Sequence, residues 1–322
     1  MNTQSYTIQT EERLDTFLAQ QLGQTRSQIV QLIKQNAVSV DGKINSKPGI
    51  KLKLNQEISI TFPKAKESAP LKIDFDVDVI YEDDDLLVIN KPSGLTVHPA
   101  PSVKEPTLVD WLKHKGIRLS TISGEERHGI VHRLDKGTSG AMLIAKNNET
   151  HEALSLQLQD KTMGRYYLAI STPPLKEDIT IVEEPIARSS HNRLKMAIMT
   201  HGKSAKTEFK KTLLSLDESC ELLTCKLFTG RTHQIRVHLE KLNRHILGDH
   251  LYGSKEKKEK SERILLHAYL LYFIHPTTKK KEAFLAPLDK DMLQFIEKNF
   301  DMESFNEAIK PDNVKLGFST NS

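Results

Sequence analysis

A chain of 322 residues is long for a single core, so two units plus connections are expected. Hydrophobic residues make up 38% and charged residues 27%, which excludes a disordered chain. No apolar run reaches the length of a membrane span and Met1 to Gln9 has no signal-peptide core, so no membrane role is expected and cytoplasmic residence is the default. Lys and Arg number 46 against 42 Asp and Glu, and a net charge of +4 is too small by itself to name a partner. Its distribution says more: acidic residues gather from Asp74 to Asp85, and basic ones around Arg133 and Arg231 and in Lys255 to Lys260. Cys220 and Cys225 lack metal-ligand spacing and read as thiols of a reducing compartment.

Residues 1–62 read as a small module of their own. Leu14, Phe17, Leu18 and Leu22 recur at helical spacing. Thr25 and Gln28 form a capping-box pair that opens a second helix carrying Ile29, Leu32 and Ile33. Asn36, which accepts a left-handed backbone, should stop it. Val38 to Val40, Asp41-Gly42 and Lys43-Ile44 then read as a hairpin with a two-residue turn, closed by a strand from Gln56 to Phe62. This order, with Arg13, Arg26, Ser27 and Lys34 on or beside the helices, resembles the S4-like RNA-binding domain from about Glu12 to Phe62. The resemblance implies that those four residues bind RNA, and the second helix can present Arg26, Gln28 and Lys34 to phosphates. An unrelated helical packing domain is the plain alternative.

Residues 63–70, polar and framed by Pro63 and Pro70, have linker composition. Beyond them Val77 to Tyr81 and Leu86 to Asn90 read as paired strands about an acidic turn. Thr107 to Gly116 is a helix with Leu108, Trp111 and Leu112 on one face, which makes Trp111 a core residue. The stretch from His132 to Gly140 (His-Arg-Leu-Asp-Lys-Gly-Thr-Ser-Gly) lies between the apolar runs Gly129 to Val131 and Ala141 to Ala145. Local pattern alone makes it a turn between buried strands with Asp135 as an ordinary loop residue. Thr150 to Lys161 reads as a helix. Arg165 to Ile170 begins a strand whose alternation sends Tyr166 and Tyr167 to opposite faces.

Ala205 to Leu213 and Glu221 to Phe228 are expected antiparallel strands. They lead into Thr229-Gly230-Arg231-Thr232-His233-Gln234-Ile235-Arg236. Ile235, Leu239 and Leu242 have helical spacing with Thr232 as the expected N-cap. A glycine turn opening a helix beside Arg231 and Arg236 suits a phosphate or carboxylate. Arg263 to Pro287 alternates like strands, and residues from about Asp301 look like a polar add-on tail.

Three separated blocks then fit together: Asn90-Lys91-Pro92-Ser93-Gly94-Leu95 with Val97-His98-Pro99; His132 to Gly140; and Gly230 to His238, continued by Gly248 to Gly253. With Leu266-His267-Ala268 they resemble the RluA-type pseudouridine synthases, and the module in front is like the RluD branch of that family. The fold so implied is α+β: a mixed, mainly antiparallel catalytic sheet with flanking helices over about 71–300, behind the small domain and linker and before a tail at 301–322. Periodicity supports α+β independently but draws no topology.

The resemblance makes Asp135 the essential carboxylate, with Arg236 paired to it and Tyr167 packed on the target base. Arg133 would fill the gap left by the extruded uridine and Leu266 would line the pocket. His132, Thr138 and Arg231 would complete the substrate-binding set. Asn243 and His245 depart from the family's usual Gly and Pro, and Asn243 should adopt the backbone that Gly would.

Isomerising uridine to pseudouridine oxidises nothing and imports no group, so no cofactor is expected, and no phosphate-cradling Gly loop argues otherwise. A metal-assisted hydrolase would need His and carboxylate ligands at close spacing, and His233 and His238 point to different sides of a helix, so no metal is expected. The expected partner is RNA, most readily 23S ribosomal RNA, bound by a monomer. The same chemistry on tRNA or mRNA, or a non-catalytic RNA-binding or ribosome-assembly factor on this scaffold, are the alternatives. A dead relative would be expected to have lost Asp135, Tyr167 or Arg236.

Overall fold

Apolar alternation in Glu57-Ile58-Ser59-Ile60-Thr61 turns Ile58 and Ile60 inward, and this strand is the middle of the first unit. The computed structural model describes residues 3–22, 26–34, 36–61, 72–100, 103–122, 127–253 and 261–318, less the side chains of 27, 28 and 31. The chain divides into two units, Met1–Pro70 and Leu71–Ser322. In the first, β1 (Thr3–Thr7) precedes helices α1 (Leu14–Leu22) and α2 (Arg26–Lys34). Strands β2 (Val38–Val40), β3 (Lys43–Ile44) and β4 (Glu57–Thr61) follow, and the antiparallel sheet runs β1-β4-β2-β3. Leu14, Phe17 and Leu18 of α1 meet Ile29 and Ile33 of α2 over Ile58 and Ile60.

Asn36 takes φ 60° and ends α2, with its own N–H on the Ile33 carbonyl and that of Ala37 on Leu32. Asp41 and Gly42 both have positive φ, as the two-residue turn between β2 and β3 requires. Strand β1 had no sequence signature: four of its five residues are exposed, so it lacks apolar alternation and pairs by its backbone at the sheet edge. The expected Thr25–Gln28 capping pair, the 63–70 linker and the Lys255–Lys260 run lie outside the described residues.

The second unit opens with the hairpin β5 (Asp78–Glu82) and β6 (Leu86–Lys91). Its turn is held by Asp83, whose carboxylate accepts the N–H groups of Asp85 and Leu86 at 2.8 and 2.9 Å. Helix α3 (Leu108–His114) starts at a capping box of Thr107 and Asp110 and buries Trp111. Strand β7 (Ser139–Ala145) is buried along its whole length, an unalternating run of the kind that suits the centre of a sheet covered on both faces. Then come α4 (Asn148–Gln159), β8 (Gly164–Thr172), β9 (Ile179–Glu183), β10 (Ile186–Arg188), β11 (Met196–Ile198), β12 (Lys206–Leu214) and β13 (Glu221–Leu227). Helix α5 (Gln234–Lys241), β14 (His245–Ile246), β15 (Leu266–Ile274), β16 (Lys281–Leu285) and helices α6 (Lys290–Asn299), α7 (Met302–Ala308) and α8 (Pro311–Lys315) complete it.

The large sheet runs β5-β6-β7-β15-β8-β13-β12-β9, with β14 beside β8 and β16 beside β15. Its pairings are antiparallel except β7 with β15 among the described residues. Tyr167, Leu266, Ile235 and Trp111 pack on one face, whereas Tyr166 packs on the other with Met292, Ile296, Phe305 and Val314.

Two expectations fail here. The chain from Asp301 is no polar add-on: Phe305 and Val314 are buried against the sheet, and Met302, Ile309 and Phe318 pack partly buried beside them, docking α7 and α8. Gly129 to Val131 forms no strand, only a bridge from Ile130 to Ile144.

Among the described residues Asp83, Asp85 and His275 offer ligand atoms within 4.8 Å of one another. Nδ1 of His275 accepts the N–H groups of Thr277 and Thr278, which places the ring proton on Nε2, facing Asp83 at 2.8 Å. The ring has no lone pair to spare, and the cluster fastens the β5–β6 turn to the end of β15.

Candidate active site

The loop carrying Asp135 is held from both ends. At its exit Gly140 has φ 113°, and a Cβ there would lie 2.3 Å from the Ala268 carbonyl oxygen, so only glycine lets β7 lie this close to β15. At its side the fully buried Lys91 ammonium donates to the carbonyls of Pro92 and Leu95, both at 2.8 Å, and of Lys136 at 3.3 Å. Ser93 Oγ donates to the Gly137 carbonyl at 2.7 Å and the Gly94 N–H to Lys136 at 2.8 Å. The Asn90–Leu95 block thus shapes the loop rather than lining the pocket.

Across the pocket stands α5. Thr232 is not its cap: the residue before the helix is His233, with φ 57° and no side-chain capping bond. Gln234 satisfies the turn instead, its Oε1 accepting from the Thr229 hydroxyl at 2.7 Å and the Arg231 N–H at 3.0 Å. That left-handed turn swings His233 and Arg236 toward the loop. Arg236 Nη1 is 3.7 Å and His233 Nε2 3.9 Å from Asp135 Oδ2, and the Asp135 side chain is 20% exposed.

The firmest partner of Arg236 is Asp249, which sequence reasoning did not single out although it lies within the Gly248 to Gly253 block. Two bonds of 2.7 Å from Nε and Nη2 make a bidentate pair, with Asp249 almost wholly buried. Asp249 Oδ1 also accepts the N–H groups of Leu251 and Tyr252. Burial pushes its carboxyl up, but Arg236 and the two amides outweigh that and hold it below the usual range. Tyr252 lies under the Arg236 guanidinium, 4.8 Å from its ring centre, and its hydroxyl is 2.9 Å from His233 Nδ1. Burial lowers the His233 pKa, against the pull of Asp135, so the ring is neutral near pH 7.

Tyr167 of β8 and Leu266 of β15, both buried, come together through the pairing of Tyr167 with Ala268 and of Leu266 with Ala169. They line one pocket with Asp135, Arg133, Thr138, Arg231 and Arg236. Burial raises the Tyr167 pKa, Arg165 acting against it, so the phenol keeps its proton. Arg231 sits at the rim with Nε on the Ser204 carbonyl at 2.9 Å, and Arg133 is exposed. His132 does not join the Asp135 pocket: it is buried, its Nε2 accepts the Leu143 N–H at 3.1 Å, and burial and then the Arg165 charge keep its ring neutral.

In the first unit Arg13 and Arg26 both clasp the buried Asp15, at 3.0 and 2.7 Å, while about half of each side chain remains exposed. The Arg13 hydrogen bond first, against burial, and then Arg26 bring the Asp15 pKa down to about 2. Lys34 is exposed, and the Ser27 side chain lies outside the described residues.

The loop, the tyrosine strand and the arginine helix meet over one sheet. The RNA pseudouridylate synthase family matches residues 85–241 and the S4 domain residues 12–58. An uncharacterized RNA pseudouridine synthase of Helicobacter pylori strain J99 is 48% identical over 314 residues, spanning 95% of this chain and 96% of that protein. The ribosomal large subunit pseudouridine synthase D of Zymomonas mobilis is 36% identical over 308 residues, 91% of this chain and 96% of its own. The human RNA pseudouridylate synthase domain containing 1 shares the fold, at TM-score 0.58 and 22% identity over 76% of this chain and 97% of its own. This chain belongs to the RNA pseudouridine synthases, in the group that carries an N-terminal S4 domain. Among the described residues no helix is long and apolar enough to cross a membrane.

Proposed function

We propose that the protein isomerises particular uridines of 23S ribosomal RNA to pseudouridine, with Asp135 as the essential carboxylate. It would act as a monomer in the cytoplasm. The observation that carries the reading is Asp135 beside Arg236 in a pocket floored by Tyr167 and Leu266. The large-subunit target is favoured by the name of the Zymomonas relative.

The reaction breaks the N1–C1′ bond, turns the uracil and joins C5 to C1′, with the C5 proton lost and one regained at N1. No atom is added overall. A carboxylate can serve it as nucleophile or base only when ionised, and a guanidinium beside it favours that form. Turning the base out of folded RNA costs on the order of a few kcal/mol. The Tyr167 ring packed against the base and Arg133 in the vacated stack offset part of that cost.

Mapping pseudouridines in RNA from cells with and without the gene tests both parts. The expectation is that one or more sites in 23S RNA vanish on deletion, return with the wild-type gene and stay absent with Asp135→Asn, which still binds RNA. Restoration by Asp135→Asn would end the assigned role of Asp135. Sites lost only from tRNA or mRNA would move the substrate.

A further inference from the structure

Beside the catalytic pocket lies a second, larger groove of about 460 Å³, within the size range of ligand sites. The two share a wall made of Arg133, Arg165, Leu227, Gly230 and Arg231. Arg165 is the unusual member. Its alternation partner on β8 is Tyr167, so both project to the same face of the sheet. The residue is only 7% exposed, yet no ion pair joins it to a carboxylate among the described residues, and its buried Nε has no hydrogen-bond partner. Two half-buried arginines near the site, Arg236 and Arg263, have Asp249 and Asp289.

The apparent exception is His132, whose Nδ1 is 3.3 Å from Arg165 Nη1. Because the Leu143 amide already donates to Nε2, the neutral ring carries its proton on Nδ1 and cannot accept from the guanidinium. What remains beside the guanidinium is the Tyr167 phenol, which is neutral and supplies no counter-charge. Gly230 leaves the guanidinium its room, since a Cβ there would be 3.1 Å from Nη2. A guanidinium keeps its charge at every pH a protein meets, and burying it without a counter-charge is unfavourable. Such a group is retained where the counter-charge arrives with a ligand. Arg133 and Arg231 on the same wall add positive potential, and Phe228 offers an aromatic side within the groove.

We infer that Arg165 binds the phosphate group next to the target uridine, and that the groove it walls seats the neighbouring nucleotide. This rests on the uridine-isomerase reading of the pocket and adds where the RNA backbone leaves it.

The test needs no turnover. Uridine, uridine 5′-monophosphate and uridine 3′-monophosphate are titrated against the wild-type protein, Arg165→Gln and Arg165→Lys. One of the two monophosphates should bind wild type at least tenfold more tightly than uridine does, identifying the side on which the chain leaves. Arg165→Gln should lose that preference and Arg165→Lys should retain part of it. The thermal midpoint of Arg165→Gln without ligand should be no lower than wild type, because an uncompensated charge has been removed. Equal affinities for nucleoside and nucleotides in wild type, undetectable binding of all three included, overturn the inference. So does a preference that survives in Arg165→Gln. If the isomerase reading alone is wrong, pseudouridine mapping fails while the phosphate preference persists; if only the phosphate site is wrong, mapping succeeds and the preference is absent.

Discussion

Replacing Asp249 by alanine tests whether the site is built around a buried ion pair. The change leaves the Arg236 guanidinium, 12% exposed, without its two bonds of 2.7 Å. Removing one partner of a buried pair costs about 3–5 kcal/mol. Two contacts persist and favour the lower end: Asp135 at 3.7 Å and the Tyr252 ring at 4.8 Å. The Asp135 attraction amounts to about 4 kcal/mol at an effective dielectric of 20 and about 1 in water. A loss of about 3 kcal/mol in a unit of 252 residues lowers the thermal midpoint by roughly 6–12 °C. Calorimetry on the full chain reads this as a shift in the transition of the larger unit. Asp249→Asn, which can still accept from the Leu251 and Tyr252 amides, should fall between the two, separating the charge from the turn it caps. A drop below about 3 °C for the alanine variant would refute the reasoning, since the pair would then contribute no more than an exposed one.

Two other perturbations address the parts that hold and feed the site. Burial pulls the Lys91 pKa down to about 7, with Asp135 opposing and Arg263 assisting, below the ordinary value near 10.4. The folded chain therefore binds fewer protons than the unfolded one between those values, and this group's contribution to stability grows as pH rises from about 7 to about 10. Denaturant midpoints at pH 7 and 9.5 should show a rise in wild type that is missing in Lys91→Met; parallel pH slopes would count against it. Deleting residues 1–62 should weaken RNA binding and flatten its dependence on salt, because each lost phosphate contact removes about one unit from the logarithmic slope. An unchanged slope would mean that Arg13, Arg26 and Lys34 do not grip RNA.

Much of this architecture was legible because local signals agreed with it. Asn36 and the Asp41-Gly42 turn carry backbone preferences strong enough to set α2 and the β2–β3 hairpin. The adjacent Tyr166 and Tyr167 were separated correctly by alternation alone, since a strand allows no other arrangement. Asn243 takes φ 55°, the backbone expected of a substitute for glycine. What stayed hidden depends on distant partners. Asp249 looks like any loop acid until α5 brings Arg236 to it, 13 residues back in the chain. The start of α5 was misplaced because Thr232 has capping chemistry, whereas the turn is satisfied by the Gln234 side chain reaching back. The roles of Lys91 and His132 were obscured because both side chains are spent inside the protein on backbone groups. Strands β9, β10 and β11 are short and partly exposed, and leave little periodic trace.

The two faces of β8 link the candidate pocket to the C-terminal helices. Tyr167 lines the candidate pocket, and its neighbour Tyr166 rests edge-on against Phe318 with ring centres 5.3 Å apart. The strand that carries this aromatic side chain is thus braced from behind by the segment that follows α8. Removing α7 and α8 should therefore loosen β8 at the candidate pocket without taking away any residue that lines it.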